Sequence, residues 1–222
     1  MFDYQPLPRE SIDGVRHYRT PGGTQVPSVT AILSATRDDS GLRAWRRRVG
    51  EAEARRISTE ASSVGTAMHK RLERHILGET VPPPEGPLQE TAHRMADVII
   101  DHALPRLDTL WGVETPLYYP DLYAGTSDCI GVFDGEPAIL DFKQSNRPKR
   151  REWIGDYLLQ LTAYALAHNK VHDTHIRRGV VLVCTRDLVF QEFTLEPEDF
   201  AASERAWFRR VEAFRAAHAA PR

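Results

Sequence analysis

Two apolar runs joined by Asp134-Gly135 constrain this chain more than any other feature. The runs are YAGTSDCIGVF, residues 123–133, and PAILDFK, residues 137–143. An Asp-Gly pair between such runs suits a two-residue type I′ hairpin, because both central residues must take positive φ. The turn then sets the register, so that Val132 faces Pro137, Ile130 faces Ile139 and Asp128 faces Asp141. Counting outward makes the two aspartates a non-hydrogen-bonded pair, the kind with the closest Cβ atoms, ~4.5–5.5 Å apart. Pro137 falls at another such position, where its missing N–H breaks no ladder bond. Along the second strand Ile139, Asp141 and Lys143 share one face, and Ala138, Leu140 and Phe142 share the other. That pattern belongs inside a sheet, where charge costs desolvation energy unless something pairs with it.

Around this hairpin the chain reads helical, then sheet, then helical. Residues 1–27 are punctuated by Pro and Gly and read as irregular, with a short hairpin about Gly22-Gly23. Ser28 suits an N-cap ahead of VTAIL. Helical spacing runs from about Leu42, breaks near Ser58 to Ser63, resumes through VGTAMHKRLERHIL and stops at Gly78. VPPPEGP, residues 81–87, is a loop before a further helix over 88–107. Other strand signals are VETPLYY (113–119), GVVLVCT (179–185) and VFQEFTL (189–195). A helix over 153–168 precedes the last two of these, and another begins at Pro197. The class expected is α/β, a central mixed β-sheet flanked by helices. The 222 residues suit one domain, with an N-terminal helical elaboration over 1–110 and a sheet core with a C-terminal helix over 111–222.

Composition removes several function classes. At 41% hydrophobic and 27% charged, the chain is ordinary globular material rather than a disordered one. No run approaches the ~20 apolar residues of a membrane span. The start, MFDYQPLPRE, has neither the basic nor the apolar stretch of a secretion signal. Cys129 and Cys184 fit buried thiols in a reducing, cytoplasmic setting. Two cysteines are too few for a four-thiolate iron–sulfur cluster.

Opposed carboxylates in an apolar sheet repel, so one takes a proton or a cation sits between them. A divalent ion with oxygen ligands, Mg²⁺ or Mn²⁺, answers the pattern. Lys143 projects into the same pocket two residues beyond Asp141. An ammonium there can orient or deprotonate water and stabilise negative charge on a phosphate. Phosphodiester hydrolysis needs both parts. The plainer alternatives are a satisfied polar pair and a Lys143–Asp141 bridge that only balances charge.

The spacing of Asp128 from Asp141-Phe142-Lys143 resembles the D…(D/E)-x-K signature of the PD-(D/E)XK nuclease superfamily. Gly125–Asp128 (GTSD), Gln160–Tyr164 (QLTAY), Gly65–His69 (GTAMH) and Glu114 in VETPL resemble further elements of its RecB-like members, in the same chain order. PSVTAIL, residues 27–33, is similar to the mitochondrial genome maintenance exonuclease group and its phage and bacterial relatives. The resemblance implies a PD-(D/E)XK, restriction-endonuclease-like core and a bacterial or phage-infected cell. It implies His69, Asp128, Asp141 and the Phe142 carbonyl as metal ligands. It also implies Glu114, Asp128, Asp141 and Lys143 as the catalytic group, with Gln160 and Tyr164 positioning substrate or carboxylates. Taken alone, a helix histidine, a strand glutamate or a Gln–Tyr pair at helical spacing is ordinary structure.

With a net charge of −2, nucleic-acid contacts must come from local basic clusters. WRRR at 45–48, with Arg55-Arg56, is one, and Lys70, Arg71 and Arg74 beside His69 are another. The loop NRPKRRE, 146–152, follows Lys143 directly and supplies Arg147, Lys149, Arg150 and Arg151. Cations hold phosphates, and aromatics stack on unpaired bases. His168, His172 and His175 read as a polar, solvated turn rather than a zinc site. The expectation is a Mg²⁺- or Mn²⁺-dependent DNA exonuclease on single-stranded ends, serving replication, recombination or repair and working with their proteins. The alternatives are a structure-specific endonuclease and a non-catalytic nucleic-acid-binding subunit of a recombination complex.

Overall fold

The computed structural model describes residues 2–218. Three short strands come first: β1 (Arg9–Ile12), β2 (Val15–Arg19) and β3 (Gln25–Pro27), antiparallel in that order. The hairpin expected about Gly22-Gly23 is the β2–β3 pair, and the irregular reading of the rest missed β1. Asp13-Gly14 turns β1 into β2 with φ of 50° and 77°, the same chemistry as Asp134-Gly135. Strands this short and polar carry little alternation to read.

Helix α1 (Val29–Thr36) starts where Ser28 Oγ accepts the Ala31 N–H at 3.0 Å. The next helical stretch divides at Gly50, with φ of 85°, into α2 (Ser40–Val49) and α3 (Glu51–Ile76). The expected break at Ser58 to Ser63 is absent, and those serines lie inside α3. Their low helix propensity is outweighed by the buried stripe of Val64, Met68 and Leu72 that follows. Helix α4 (Pro87–Ala103) opens on a proline at its first turn, where no N–H is needed.

The remaining order is β4 (Leu107–Tyr119), β5 (Tyr123–Phe133), β6 (Glu136–Ser145), α5 (Gly155–His172), β7 (Arg178–Thr185), β8 (Phe190–Leu195) and α6 (Pro197–His218). β4 begins well before the expected Val113, because two register shifts in its first half blur the alternation. The five strands form one mixed sheet in chain order, with β6 and β7 parallel and the other neighbours antiparallel. Asp134 and Gly135 take φ of 51° and 78°, and Val132 faces Pro137 as the turn chemistry required.

Helices cover both faces of the sheet. On one, α3 and α4 bury Met68, Leu72, Met95 and Ile99 against Phe133, Leu140, Phe142 and Leu182. On the other, α1, α5 and α6 bury Ile32, Leu161, Trp207 and Phe214 against Tyr123, Ile130, Ile139 and Val181. Helix α5 is buried on nearly every side from Gln160 to His168. Its polar side chains therefore need partners in the protein. His168 accordingly lies fully buried beneath Tyr4 and Trp111, which corrects its reading as part of a solvated turn. Among the described residues no helix is long and apolar enough to cross a membrane.

Candidate active site

The site lies where β5 and β6 separate. Their ladder runs from Phe133↔Glu136 to Cys129↔Leu140 and stops. At the next step Asp128 Oδ2 accepts the Phe142 N–H at 2.8 Å, in place of a strand carbonyl. On the other edge of β5, Val113 faces Cys129 and Thr115 faces Ser127, which sets Glu114 opposite Asp128. Glu114, Asp128 and Asp141 therefore form one row across three strands. Glu114 holds φ of 46°, a left-handed conformation that costs a non-glycine residue free energy and re-aims its side chain.

Helices from both layers close on this row. From α3, His69 Nε2–H donates to the Phe142 carbonyl at 2.8 Å, which turns Nδ1 toward Asp128 Oδ1 at 3.5 Å. Donor atoms of His69, Glu114 and Asp128 all lie within 4.8 Å of one another. From α5, Gln160 Nε2 donates to Asp141 Oδ1 at 3.0 Å. Lys143 Nζ lies 2.5 Å from Asp141 Oδ2. That ion pair is buried, with Asp141 only 1% exposed. The Lys143 ammonium also sits 5.1 Å from the centre of the Tyr157 ring. One turn beyond Gln160, the Tyr164 ring lies on β5 at Gly125, where a Cβ would come within 2.7 Å of Cε1. Only glycine allows that approach.

The carboxyls ionise unequally. Burial raises the pKa of Asp128, but the charge of His69, Lys143 and the Phe142 N–H together hold it below the usual carboxylate range. Burial pushes Asp141 up to about 6, with Asp128 adding to the rise and Lys143 opposing it. Glu114 is pushed up to about 7 by partial burial and then by Asp128, although its open position lets water screen part of that effect. His69 and Lys143 both rise against the effect of burial, His69 chiefly through Asp128 and Lys143 through Asp141 and then Asp128. The result is a compact set of charges, running from exposed Glu114 to buried Asp141, more acidic than basic once all three carboxyls ionise. A divalent cation fits it, because the donors are one imidazole and several carboxylate oxygens.

The basic residues divide among three places. A groove of ≈ 600 Å³ beside Lys143 is lined by Arg147 and Lys149 together with Trp45, Arg48, Trp153 and Tyr157. Arg150 lies over the Trp153 ring at its edge, 5.2 Å from the centroid. Arg151 turns away and donates to the Thr194 carbonyl at 2.7 Å. Lys70 faces another groove, on the α4 side of α3. Sequence reasoning left the Tyr157–Lys143 contact out of the site. Its signal was the helical spacing of Tyr157, Gln160 and Tyr164.

No family model matches the chain. It is similar to proteins named mitochondrial genome maintenance exonuclease 1: 28% identical over 179 residues in Mus musculus, 26% over 175 in Xenopus tropicalis and 24% over 177 in Homo sapiens. Each alignment covers 73% of this chain, and the chain spans about half the length of the curated relatives it matches. This likeness supports a nuclease family. All three relatives are animal proteins and give no support to a bacterial or phage setting. The solved structure of SSO0001 aligns over 89% of this chain and 78% of its own, at a TM-score of 0.43 and 16% identity, too loosely to decide anything.

Proposed function

We propose that this chain is a Mg²⁺- or Mn²⁺-dependent DNA nuclease on a PD-(D/E)XK core, shortening single-stranded ends as an exonuclease in replication, recombination or repair. The observation that carries the reading is the group of His69, Glu114 and Asp128 donor atoms within 4.8 Å of one another, beside the buried Asp141–Lys143 pair. Two carboxyls brought that close to each other and to an imidazole repel unless positive charge joins them, and all three offer it lone pairs. His69, through Nδ1, with Glu114, Asp128 and Asp141 would hold the ion. The Phe142 carbonyl accepts the His69 Nε2–H and so orients the ring, and its second lone pair would remain for the ion. When bound, the metal supplies an acidified water and neutralises charge on the phosphate.

The chain's own residues do the rest. Lys143, held between Asp141 and Tyr157, orients the attacking water and stabilises charge that develops on the phosphate. Gln160 fixes the Asp141 carboxylate, and Tyr164 against Gly125 fixes the start of β5. Arg48, Arg147 and Lys149 hold strand phosphates. Trp45, Trp153 (59% exposed) and Tyr157 offer faces to unpaired bases, which a duplex would not present.

The test is incubation of 5′- and 3′-labelled single- and double-stranded DNA with Mg²⁺, Mn²⁺ or chelator. The expected result is stepwise shortening of single strands, only with metal. Full cleavage in excess chelator would remove the metal from the reading, and internal cuts would make the protein an endonuclease. Tight binding with no cleavage under any metal would leave the non-catalytic subunit.

A further inference from the structure

The groove on the α4 side of α3 encloses ≈ 650 Å³, and none of the acidic row lines it. Lys70, Arg71 and Arg74 form one wall, Pro82-Pro83 and Glu85 of the α3–α4 loop another, and Gln89 and His93 of α4 a third. Arg71 is committed to Asp97 of α4. Lys70 and Arg74 make no ion pair among the described residues, and Glu85 is the single acidic member of the lining. Thr66, Lys70 and Arg74 follow one another at four-residue steps along α3. At 1.5 Å per residue the two cations stand ~6 Å apart along the helix axis. That step is close to the distance between successive phosphates of an extended strand.

We propose that this groove binds two consecutive phosphates of a nucleic-acid strand, one on Lys70 and one on Arg74. The proposal rests on the nucleic-acid reading of the protein but not on its cutting activity. Thr66 and Gln89 supply neutral hydrogen-bonding groups beside the phosphates, and Pro82-Pro83 a rigid apolar wall for sugar or base. Lys70 directly follows His69, so one helix serves both places: His69 reaches the acidic row, and the next residues grip the strand elsewhere. A strand too short to reach past α3 meets only the groove beside Lys143. A longer one is held twice, with the effective concentration of its second contact set by the first. A free diphosphate carries the same paired charge and is the competing source of that chemistry.

The experiment measures binding of a long fluorescent single strand in chelator, across a salt series, to the parent and to the double variant Lys70→Gln/Arg74→Gln. Losing two phosphate contacts should weaken binding about tenfold and flatten the log–log salt slope by ~1.4, at ~0.7 per phosphate on a single strand. Glutamine keeps an aliphatic stem, and should the double variant melt early, Arg74→Gln alone should flatten the slope by ~0.7. An unchanged slope overturns the proposal. So does pyrophosphate that binds the parent but not the variant while strand binding stays the same, since the groove would then serve a free diphosphate. A protein that shows the expected slope change yet never cuts would end the nuclease reading and leave this groove standing.

Discussion

His168 and Asp141 are both shielded from water, 0% and 1% exposed, yet their polar atoms end differently. Around His168 every bond closes. The Tyr4 hydroxyl donates to Nε2 at 3.0 Å, and Nδ1–H donates to Thr174 Oγ1 at 2.7 Å. Thr174 passes its own proton to Asn169 Oδ1, and Asn169 Nδ2 donates to the Ile176 carbonyl. Phe2, Trp111 and His172 pack around the ring, and burial lowers its pKa to about 4, so it stays neutral. Around Asp141, Gln160 and Lys143 meet the two oxygens, but the three carboxyls of the row outnumber the two cations beside them and charge is left over. A closed network ties Tyr4 of the N-terminal segment to α5 and has no capacity left to bind anything. An open one keeps its capacity for something that is not protein.

That contrast can be broken at several points. Lys143→Ala should have the largest effect, a fall in turnover of ~10³-fold with DNA affinity within a few-fold. Single-turnover cleavage of labelled DNA measures it, and near-normal turnover would make the lysine structural. His168→Ala should do the reverse. Losing a buried ring and two hydrogen bonds costs about 2–3 kcal/mol, or ~5–10 °C in melting temperature for a chain of this size, with room-temperature turnover kept. If turnover fell while melting held, the aromatic cluster would belong to the reaction.

Within the acidic row, opposed aspartates in the hairpin lead one to expect that neutralising Asp128 relieves repulsion. The structure argues otherwise, since His69, Lys143 and the Phe142 N–H favour its charged form. Asp128→Asn should therefore lower the melting temperature in chelator, at a cost on the order of 1–2 kcal/mol. Glu114→Gln, which removes a like charge beside Asp128, should hold or raise it. Equal effects from the two variants would mean that the row shares its charge evenly.

The smallest expected effect is in how stability depends on pH. Asp141 titrates at about 6 in the fold, above its ordinary 3.8, so the folded state keeps that proton longer and stability in chelator falls as pH rises from about 4 to about 6. His168 titrates at about 4, below its ordinary 6.5, so the unfolded state takes the proton first and stability falls as pH drops from about 6.5 to about 4. Between pH 4 and 6 the two slopes oppose each other and largely cancel in the parent, so Asp141→Asn should uncover the fall toward low pH and His168→Ala the fall toward pH 6. A slope that survives its own substitution would assign it to another group.

Local chemistry was the legible part of this molecule. The Asp134-Gly135 turn gives the register of β5 on β6, because turn type and pairing are fixed within a few residues. The same signal at Asp13-Gly14 passed unread because short polar strands gave it no flanks. What the residues alone did not give is how the chain deviates from regular structure. The positive φ of Glu114, the Asp128 carboxylate replacing a ladder carbonyl, and the Gly125–Tyr164 contact all depend on packing between distant segments. The basic loop shows the same limit. Arg147 and Lys149 line the groove while Arg151, a few residues on, binds Thr194, because the chain begins a helical turn there and changes the direction of each side chain.

The meander of β4, β5 and β6 also sets the order in which this protein can assemble. Glu114, Asp128 and Asp141 are gathered by two hairpin closures between neighbouring strands, each cheap in chain entropy and fast. His69 must come from a helix much further away in the chain, by a slower long-range docking. The early sheet therefore carries its carboxylates before the imidazole arrives to face them, and their mutual repulsion opposes the last pairings. Refolding in chelator should speed up from neutral to acid pH, as these carboxyls take protons. Stopped-flow refolding of the parent beside Glu114→Gln would show it, with the variant fast at both pH values.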